Sequence, residues 1–262
     1  MSDRDLRTTF NEDAELYDRM RPGYPDELFD DLDSLVGLGP GARVVEIGPG
    51  TGQATTSLAG RGAQVVAVEL GSALAAVLRR NVADLPVEVV VSAFEDWTPP
   101  GESSDLVAVF TAWHWLDPAV RTSKVAAALK DGGGLATVMT EHVLGGTEAF
   151  FADAQDCYER WDPSTPPGLR LEPADAIPPS TDEADDSALF EPAVRHRYRR
   201  DIEYTTAEYL DLLNTYSGHR ALDPESRRGL LTGIADLIDG KYGGSVTKSY
   251  LYELRVARKR RP

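Results

Sequence analysis

Short apolar runs alternate with amphipathic segments through the first half of the chain. The runs are rich in β-branched residues and show little alternation, which is typical of parallel strands buried on both faces of a sheet. Strands are predicted at residues 43–47, 64–68, 87–91, 105–110 and 135–140. Apolar residues at helical spacing predict helices at 25–36, 53–59, 72–81 and 119–129. Because strands joined by helical crossovers form a parallel sheet, this half predicts an α/β domain.

The pattern changes beyond residue 141. The segment 162–186 is rich in prolines and acidic residues and predicts an exposed loop. Alternation at 191–205 and apolar residues at 245–259 predict two more strands. Further helices are predicted at 148–161, 207–216 and 224–238. Two of these helices therefore lie between the last two strands of the chain.

A helix is also predicted ahead of the sheet. Phe10, Ala14 and Tyr17 fall on one helical face, and the prolines at 22 and 25 end that helix. The simplest interpretation is a helix that packs on the edge of the sheet. The alternative is a helix that folds over a bound ligand.

Composition limits the partners that suit this chain. Its 262 residues are long enough for one large α/β domain with an insertion or for two small domains, and one domain with a lid is the favoured interpretation. The net charge of -16 repels phosphate backbones and anionic membranes, so neither nucleic acid nor a membrane surface is an expected partner. Arg195, Arg197 and Arg199 alternate along a predicted strand and form a basic face, and together with Arg200 they could attract an anionic acceptor. In so acidic a protein we expect such a face to pair with the protein's own carboxylates, and it is not assigned as a site.

Cysteine and hydropathy bear on the compartment. Cys157 is the only cysteine, so no intrachain disulfide forms, and no Cys/His pattern suggests a metal site. No apolar run approaches the roughly 20 residues of a membrane span. The charged N-terminus has no apolar signal-peptide region. A cytoplasmic protein is the expectation.

Three glycines follow the first strand, in the run Glu46-Ile47-Gly48-Pro49-Gly50-Thr51-Gly52. Glycine permits φ > 0 and removes the side chains that keep a ligand away from the backbone. The next strand ends in Glu69, about 20 residues on, the spacing at which an acidic residue meets ribose hydroxyls in nucleotide-binding folds. The alternative to a nucleotide-type ligand is a glycine-rich turn that binds nothing.

Two kinds of ligand compete for this geometry. Dinucleotide enzymes use Gly-x-Gly-x-x-Gly, with a pyrophosphate at the N-terminus of the helix. Here the glycines are evenly spaced and Glu46 lies in the strand before them, where a carboxylate suits a cation better than a pyrophosphate. The pattern Glu-x-Gly-x-Gly-x-Gly resembles motif I of the class I S-adenosylmethionine (SAM)-dependent methyltransferases.

The resemblance implies a fold and a division of the chain. The implied fold class is α/β, a doubly wound Rossmann-like seven-stranded sheet with an N-terminal helical segment and a helical lid inserted between the last two strands. The implied domains are N-terminal cap helices at 1–40, a SAM-binding core at 41–145, acceptor-side elements with the lid and strand six at 146–245, and the final strand at 246–262.

The resemblance also implies cofactor contacts. In the family the position of Glu46 lies near the methionine ammonium of SAM. The run Tyr-x-x-x-Arg-Pro-x-Tyr-Pro resembles small-molecule methyltransferases of the trans-aconitate type, which implies that Tyr17 and Arg21 reach the methionine carboxylate. Residues 92–97 occupy the adenine-binding motif, with Ala93 where many relatives carry aspartate. The expected cofactor-binding residues are Tyr17, Arg21, Glu46, Gly48, Gly50, Gly52, Glu69, Leu70, Ala93, Phe94, Glu95 and Thr111. The alternative for Phe94 is a core aromatic.

Candidate acceptor residues follow the fourth strand and occupy the lid. Trp113-His114-Trp115 resembles the family segment that faces the sulfonium and the acceptor, so His114 is the candidate catalytic base and the tryptophans offer π-faces to a cation. The candidate substrate-binding residues are Trp113, His114, Trp115, Tyr209, Tyr216 and His219. The alternative is that His114 orders its loop, the tryptophans are core and the lid residues only pack the lid.

The sequence therefore predicts a SAM-dependent methyltransferase that moves a methyl group to an oxygen or nitrogen of a small-molecule acceptor by in-line displacement. It needs no metal and is expected to be a monomer or homodimer. The rivals are a nicotinamide-dependent oxidoreductase, a SAM-binding module without catalysis, and methylation of RNA or protein.

Overall fold

The structure is a computed structural model that describes residues 9–99 and 103–261. Phe10 was predicted to share a helix face with Tyr17, but its side chain lies outside the part of the chain that the structure describes. A 3-10 turn at Thr9–Glu12 precedes the helices. The helices are α1 (Ala14–Met20), α2 (Asp26–Val36), α3 (Thr55–Gly60), α4 (Ser72–Asn81), α5 (Arg121–Ala128), α6 (Glu148–Trp161), α7 (Thr206–Leu213), α8 (Ser217–Ala221) and α9 (Pro224–Lys241). None of the described helices is long and apolar enough to cross a membrane.

Seven strands form one sheet. They are β1 (Arg43–Ile47), β2 (Gln64–Glu69), β3 (Val87–Val91), β4 (Ser104–Phe110), β5 (Leu129–Val143), β6 (Val194–Thr205) and β7 (Ser245–Arg258). Their order is β3-β2-β1-β4-β5-β7-β6, in which the first five pair in parallel and β7 is antiparallel. The predicted seven-stranded, doubly wound fold is thus confirmed.

The chain divides into two compact units. Unit 1 comprises residues 1–21, 141–178 and 199–251, and unit 2 comprises residues 22–140, 179–198 and 252–262. Each unit is built from three separate stretches of chain. The domain limits predicted from the sequence stay a prediction.

Unit 2 contains β1 to β4 and the glycine turn. Val45 of β1 pairs with Val66 of β2 on one side and with Val107 of β4 on the other. Val45 and Val107 are each almost fully buried, as expected for strands covered on both faces. The β-branched runs therefore place β1, and the turn that follows it, in the middle of the parallel strands.

The predicted elements agree with the structure except at two places. The three glycines at 132–134 were expected to end α5 and precede the fifth strand, but β5 begins at Leu129 and runs through them. Its pairing with β4 shifts register between Ser104 and Leu106, so the glycines lie in an irregular stretch of the strand. The second difference is a short helix, α8, between the two helices predicted for the lid. Five residues are too few to give a helical period in the sequence.

The basic strand face is neutralised where it lies in unit 2. Arg195 pairs with Asp185 at 3.0 Å, and Arg197 pairs with Glu253 at 2.6 Å. Both guanidinium groups are thus engaged by carboxylates of the same unit, as the sequence analysis expected.

Candidate functional site

The glycine turn after β1 leaves no room for side chains. Gly48, Gly50 and Gly52 have φ angles of 66°, 62° and 106°, a region that L-residues rarely adopt. A Cβ on Gly48 would lie 2.8 Å from Cβ of Ala112, and one on Gly52 would lie 2.8 Å from Cδ1 of Leu78. The turn therefore needs glycine for its conformation and for its close contacts.

Glu69 at the tip of β2 is bonded to that turn. Its Oε2 accepts a hydrogen bond from the backbone N–H of Gly50 at 3.0 Å, and its Oε1 accepts one from Gly71 at 2.7 Å. The backbone N–H of Leu70 is a further donor to this carboxylate. A carboxylate has about four lone-pair sites, so capacity remains for a ligand. The geometry brings together the glycines and the acidic residue that the sequence predicted as one site, with Leu70 beside them on the chain.

Glu46 is the second buried carboxyl group of this site. It is 1 % exposed, and its Oε2 has no hydrogen-bond partner among the described residues. Burial raises the pKa of Glu46 to about 7 and the pKa of Glu69 to about 7. No ion pair to either carboxyl is found in the described part of the chain. The site therefore carries acidic groups that a cation would stabilise in their charged form.

The turn after β4 is strained beside the glycines. Thr111 is the one non-glycine residue with positive φ in the described part of the chain, at 53°. Its Oγ1 lies 3.1 Å from the Tyr24 hydroxyl and 3.0 Å from Oγ1 of Thr140. A β-branched residue with positive φ is uncommon, and such strain is concentrated at functional sites. Because Ala112 follows Thr111 and contacts Gly48, the two turns adjoin.

The predicted adenine segment lies partly in the core of unit 2. Phe94 is 3 % exposed and belongs to the same apolar cluster as Trp97 and Trp113. The Lys124 ammonium lies 5.3 Å from the centre of the Phe94 ring. Phe94 is therefore a core aromatic, which was the alternative to a ligand contact. Its stacking on a ligand stays a prediction. The residue before it, Ala93, accepts backbone hydrogen bonds that form the turn.

Glu95 connects this segment to the loop after β4. Its Oε1 accepts from the backbone N–H of Asp117 at 3.1 Å, and its carbonyl accepts from Lys124 at 2.7 Å. The carboxylate thus holds two loops of the site together. Whether it reads an adenine amine stays a prediction.

His114 is exposed on a short 3-10 turn, Trp113–Trp115. Its ring centre lies 4.7 Å from that of Trp115. Arg121 contacts this turn. Its guanidinium carbon lies 4.7 Å from the centre of the Trp113 ring, and it donates a hydrogen bond to the Trp113 carbonyl at 2.6 Å. Arg121 itself is held by Glu183 through bonds of 2.5 and 2.7 Å, and this contact lowers the pKa of Glu183 to about 2. Trp113 is thus core, whereas His114 is accessible.

In unit 1, two residues predicted to bind the cofactor gather with one predicted for the acceptor. The guanidinium of Arg21 lies 5.0 Å from the centre of the Tyr17 ring and 4.8 Å from that of Tyr216. It donates to the Thr215 carbonyl at 2.8 Å. The structure therefore brings Tyr17, Arg21 and Tyr216 together within unit 1.

Unit 1 also contains a cavity of about 250 Å³. It is lined by His142, Phe151, Ala154, Gln155, Tyr158, Thr165, Leu169, Arg170, Leu171, Tyr209, Leu213, Tyr216 and Lys248. Tyr209 and Tyr216 were predicted from the sequence as substrate-binding residues. His219 does not line the cavity, but its ring centre lies 5.5 Å from that of Tyr216. Burial lowers the pKa of His219 to about 4, so the ring is neutral at pH 7.

Sequence reasoning missed Lys248, His142 and Tyr24. Lys248 shares one face of β7 with Val246 and Tyr250. A lysine on an otherwise apolar strand face was the sequence feature that could have identified it. His142 is the last residue but one of the fifth strand, and open α/β sheets bind ligands at the carboxyl ends of their strands. Tyr24 gave no signal beyond its place in the proline-rich run, because its contact with Thr111 is long-range.

About half of the chain is similar in sequence to known proteins. A profile described as "Methyltransferase domain" matches residues 44–133, which include the glycine turn, Glu69 and the segment Trp113–Trp115. Residues 44–133 are therefore similar to a methyltransferase domain. An uncharacterized methyltransferase of Mycobacterium tuberculosis is 40% identical over 138 residues, which cover 52% of this chain and 54% of that protein. An uncharacterized methyltransferase of Schizosaccharomyces pombe is 26% identical over 134 residues, or 50% of this chain and 51% of that one. The matched stretch thus spans about half the length of these curated relatives.

Solved structures share the fold beyond the matched stretch. A candidate type II methyltransferase from Anaeromyxobacter dehalogenans superposes with a TM-score of 0.63 at 22% identity, covering 91% of this chain and 97% of that one. Haemonchus contortus phosphoethanolamine N-methyltransferase 2 does so with a TM-score of 0.55 at 18% identity, covering 100% and 61%. The cyclase SpnF has a TM-score of 0.51 at 17% identity, covering 93% and 84%. Since one of these is a cyclase, the fold does not by itself select the reaction.

Proposed function

We propose that the protein transfers a methyl group from SAM to an oxygen or nitrogen of a small-molecule acceptor. The observation that carries the proposal is the pair of buried carboxyl groups, Glu46 and Glu69, on either side of a glycine turn. Both have a pKa of about 7, and no ion pair to either is found among the described residues. A ligand with positive charges and sugar hydroxyls matches these groups, whereas a pyrophosphate would be repelled.

The residues of the site suit the parts of such a cofactor. The free Oε2 of Glu46 would accept from the methionine ammonium, and the remaining lone pairs of Glu69 would accept from the ribose hydroxyls. Gly48, Gly50 and Gly52 would let the backbone approach the ligand. Phe94, Ala93 and Glu95 are proposed for the adenine, and the backbone near Leu70 and Thr111 for the remainder.

The chemistry is a displacement at a sulfonium-bound methyl group, which SAM supplies when bound. The protein orients the acceptor atom in line with the methyl group and excludes water. His114, exposed beside the strained turn at Thr111, is proposed as the base that takes a proton from a hydroxyl or ammonium acceptor. If the acceptor arrives ionised, no base is needed.

A small-molecule acceptor fits the charge of the chain. The net charge of -16 disfavours RNA, although one short stretch is 56% identical over 43 residues to a ribosomal RNA methyltransferase of Synechococcus. Among the structural relatives, the phosphoethanolamine enzyme was solved with a small acceptor. A cytoplasmic monomer or homodimer remains part of the proposal, as does a lid formed by residues between β6 and β7.

Calorimetry of the purified protein against S-adenosylhomocysteine tests the proposal, with NAD and NADP as controls. Micromolar binding of S-adenosylhomocysteine and no heat with the dinucleotides is the expected result. Binding of a dinucleotide alone would instead support the oxidoreductase. A protein that binds S-adenosylhomocysteine but methylates nothing in an acceptor screen would be a SAM-binding module.

The proposed cofactor site at the glycine turn is tested by Glu69→Ala. Loss of its backbone contacts and of the ribose partner is expected to weaken S-adenosylhomocysteine binding by about 1.5–3 kcal/mol, the scale of charge-assisted hydrogen bonds. The exposed Glu88→Gln on the neighbouring strand is the matched control and should leave the affinity unchanged. A loss of a few tenths of a kcal/mol for Glu69→Ala would place the ribose elsewhere.

A further inference from the structure

Lys248 is a buried cation in the cavity of unit 1. It is 5 % exposed and lies on the same face of β7 as Val246 and Tyr250. Its Nζ is 5.1 Å from the ring centres of Tyr216 and Tyr250. Its ammonium donates to the Tyr216 hydroxyl at 3.0 Å, the one hydrogen-bond partner found for it in the described part of the chain. An ammonium has three donors, and burying one without a counter-charge is costly. The cavity therefore presents a positive charge with capacity for a further partner.

The rest of the lining strengthens this charge. Arg170 is a second cation at the wall, and no acidic residue occurs among the described residues that line the cavity. The chain as a whole carries a net charge of -16, whereas the cavity wall carries two cations and no carboxylate among the described residues, so the wall is positive in an acidic protein. A concave wall with charge of one sign concentrates ligands of the opposite sign.

His142 supplies a second polar group. Its Nε2 is buried in the same cavity and has no hydrogen-bond partner among the described residues. Burial and the charge of Lys248 lower the pKa of His142 to about 2, so the ring is neutral at pH 7. A neutral imidazole with Nε2 protonated donates a hydrogen bond without adding charge. One anionic group can therefore accept from both Lys248 and His142.

Size and wall chemistry define the remainder of the ligand. Aromatic rings of His142, Phe151, Tyr158, Tyr209 and Tyr216 line the cavity, together with several leucines. An apolar cavity of about 150 Å³ holds benzene. The volume of about 250 Å³ thus suits one substituted ring with an acidic group.

We propose that the cavity of unit 1 binds a single-ring aromatic carboxylate, whose carboxylate accepts from Lys248 and His142 and whose ring lies against Phe151, Tyr209 and Tyr216. The binding itself depends on unit 1 alone. That the bound acid is the methyl acceptor rests on the proposed function.

Calorimetry with benzoate tests the site, with benzamide and benzylamine as a neutral and a cationic probe of the same size. Benzoate is expected to bind on the order of tenfold or more tighter than benzamide, and benzylamine should give no heat. Equal binding of benzoate and benzamide would overturn the anionic assignment, and so would silence with all three.

Variants identify the anchoring cation. Lys248→Met is expected to lose at least about tenfold in benzoate affinity, whereas Lys248→Arg retains the charge and most of the affinity. Lys241→Met is the matched control, because it removes an exposed lysine of the same unit that pairs with Asp153 outside the cavity. A variant Lys248→Met that binds benzoate like the unchanged protein would overturn the proposal.

The melting temperature of Lys248→Met distinguishes a ligand-binding role of Lys248 from a structural role. Replacing a buried cation that has no carboxylate partner by an apolar side chain of similar length should raise the melting temperature. A lower melting temperature for Lys248→Met would mean that the ammonium is structural, against the proposal. S-adenosylhomocysteine is titrated in parallel: silence with it alone overturns the proposed function, and silence with benzoate alone overturns this inference.

Discussion

At the scale of single residues, Glu46 shows how a buried carboxyl group opposes stability. The side chain is 1 % exposed in the centre of the parallel strands, and its Oε2 has no partner among the described residues. An apolar residue of similar volume would suit the strand better. Under the proposed function this carboxyl meets a ligand that brings positive charge. Burial raises its pKa to about 7, because the charged form is poorly solvated there.

This cost predicts a pH dependence. The folded pKa of about 7 lies above the ordinary value of 4.5, so the folded protein holds a proton that the unfolded chain releases between these values. Stability is therefore lost as pH rises from 4.5 to 7. Glu46→Gln should raise the free energy of unfolding by about 1–3 kcal/mol at pH 8 and by little at pH 4.5. Urea denaturation at both pH values measures this, with Glu88→Gln as control. A difference that is the same at both pH values would contradict the assignment.

His114 carries the second prediction at this scale. It is the exposed member of a turn whose tryptophan is fixed by Arg121. As a base, His114→Ala should lower kcat by about 10² to 10⁴ and leave the affinity for S-adenosylhomocysteine nearly unchanged. A kcat that survives the substitution would indicate a structural residue or an acceptor that arrives ionised.

At the scale of elements, α6 and α9 of unit 1 show how glycines set a helix contact. Leu230, Ile234 and Ile238 recur at every fourth position of α9 and are fully buried. Beside this row, a Cβ on Gly229 would lie 2.4 Å from the ring of Trp161, which ends α6. Glycine at this position therefore lets the two helices approach closely.

Two glycines of α9 make a matched pair of substitutions. Gly229→Ala forces a methyl group into the Trp161 ring and should cost about 1–3 kcal/mol, which outweighs the gain in helix propensity. Gly240→Ala lies in the same helix with nothing within 4 Å and should stabilise by about 0.5–1 kcal/mol. Chemical denaturation of both variants measures the two signs. Equal effects would mean that α9 does not contact Trp161 as described.

At the scale of the whole molecule, charge is the dominant feature. The net charge of -16 acts on every part of the chain, and like charges repel one another in the folded protein. Ion pairs such as Arg195 with Asp185 and Arg197 with Glu253 use many of the available cations. The surplus of carboxylates remains.

This surplus predicts a stabilising effect of salt. Raising NaCl from about 0.02 M to about 0.3 M shortens the Debye length and screens the repulsion, so the melting temperature should rise by a few degrees. Sucrose at equal osmolality is the control for general exclusion from the surface. A melting temperature that falls with NaCl would mean that attractive ion pairs outweigh the net charge.

Much of the fold and half of the candidate site were predictable from local pattern. The strands at 87–91 and the helix at 72–81 have the predicted bounds, because their periodicity lies within a few consecutive residues. The glycine turn and Glu69 were found for a similar reason, since conformational freedom and spacing within one β-turn-α-β unit define them. The sequence by itself thus determined the parallel strands and the turn in their centre, and it predicted the class of cofactor.

The tertiary structure decided which side chains are buried and which of them meet. Phe94 and Trp113 were predicted to contact ligands, and the structure buries both in one apolar cluster of unit 2. Their ligand contacts stay a prediction. Lys248 and His142 are far apart in sequence and line one cavity only because β5 and β7 are neighbours in the sheet. Burial and long-range contact depend on strand order and helix placement, and a linear pattern does not contain them.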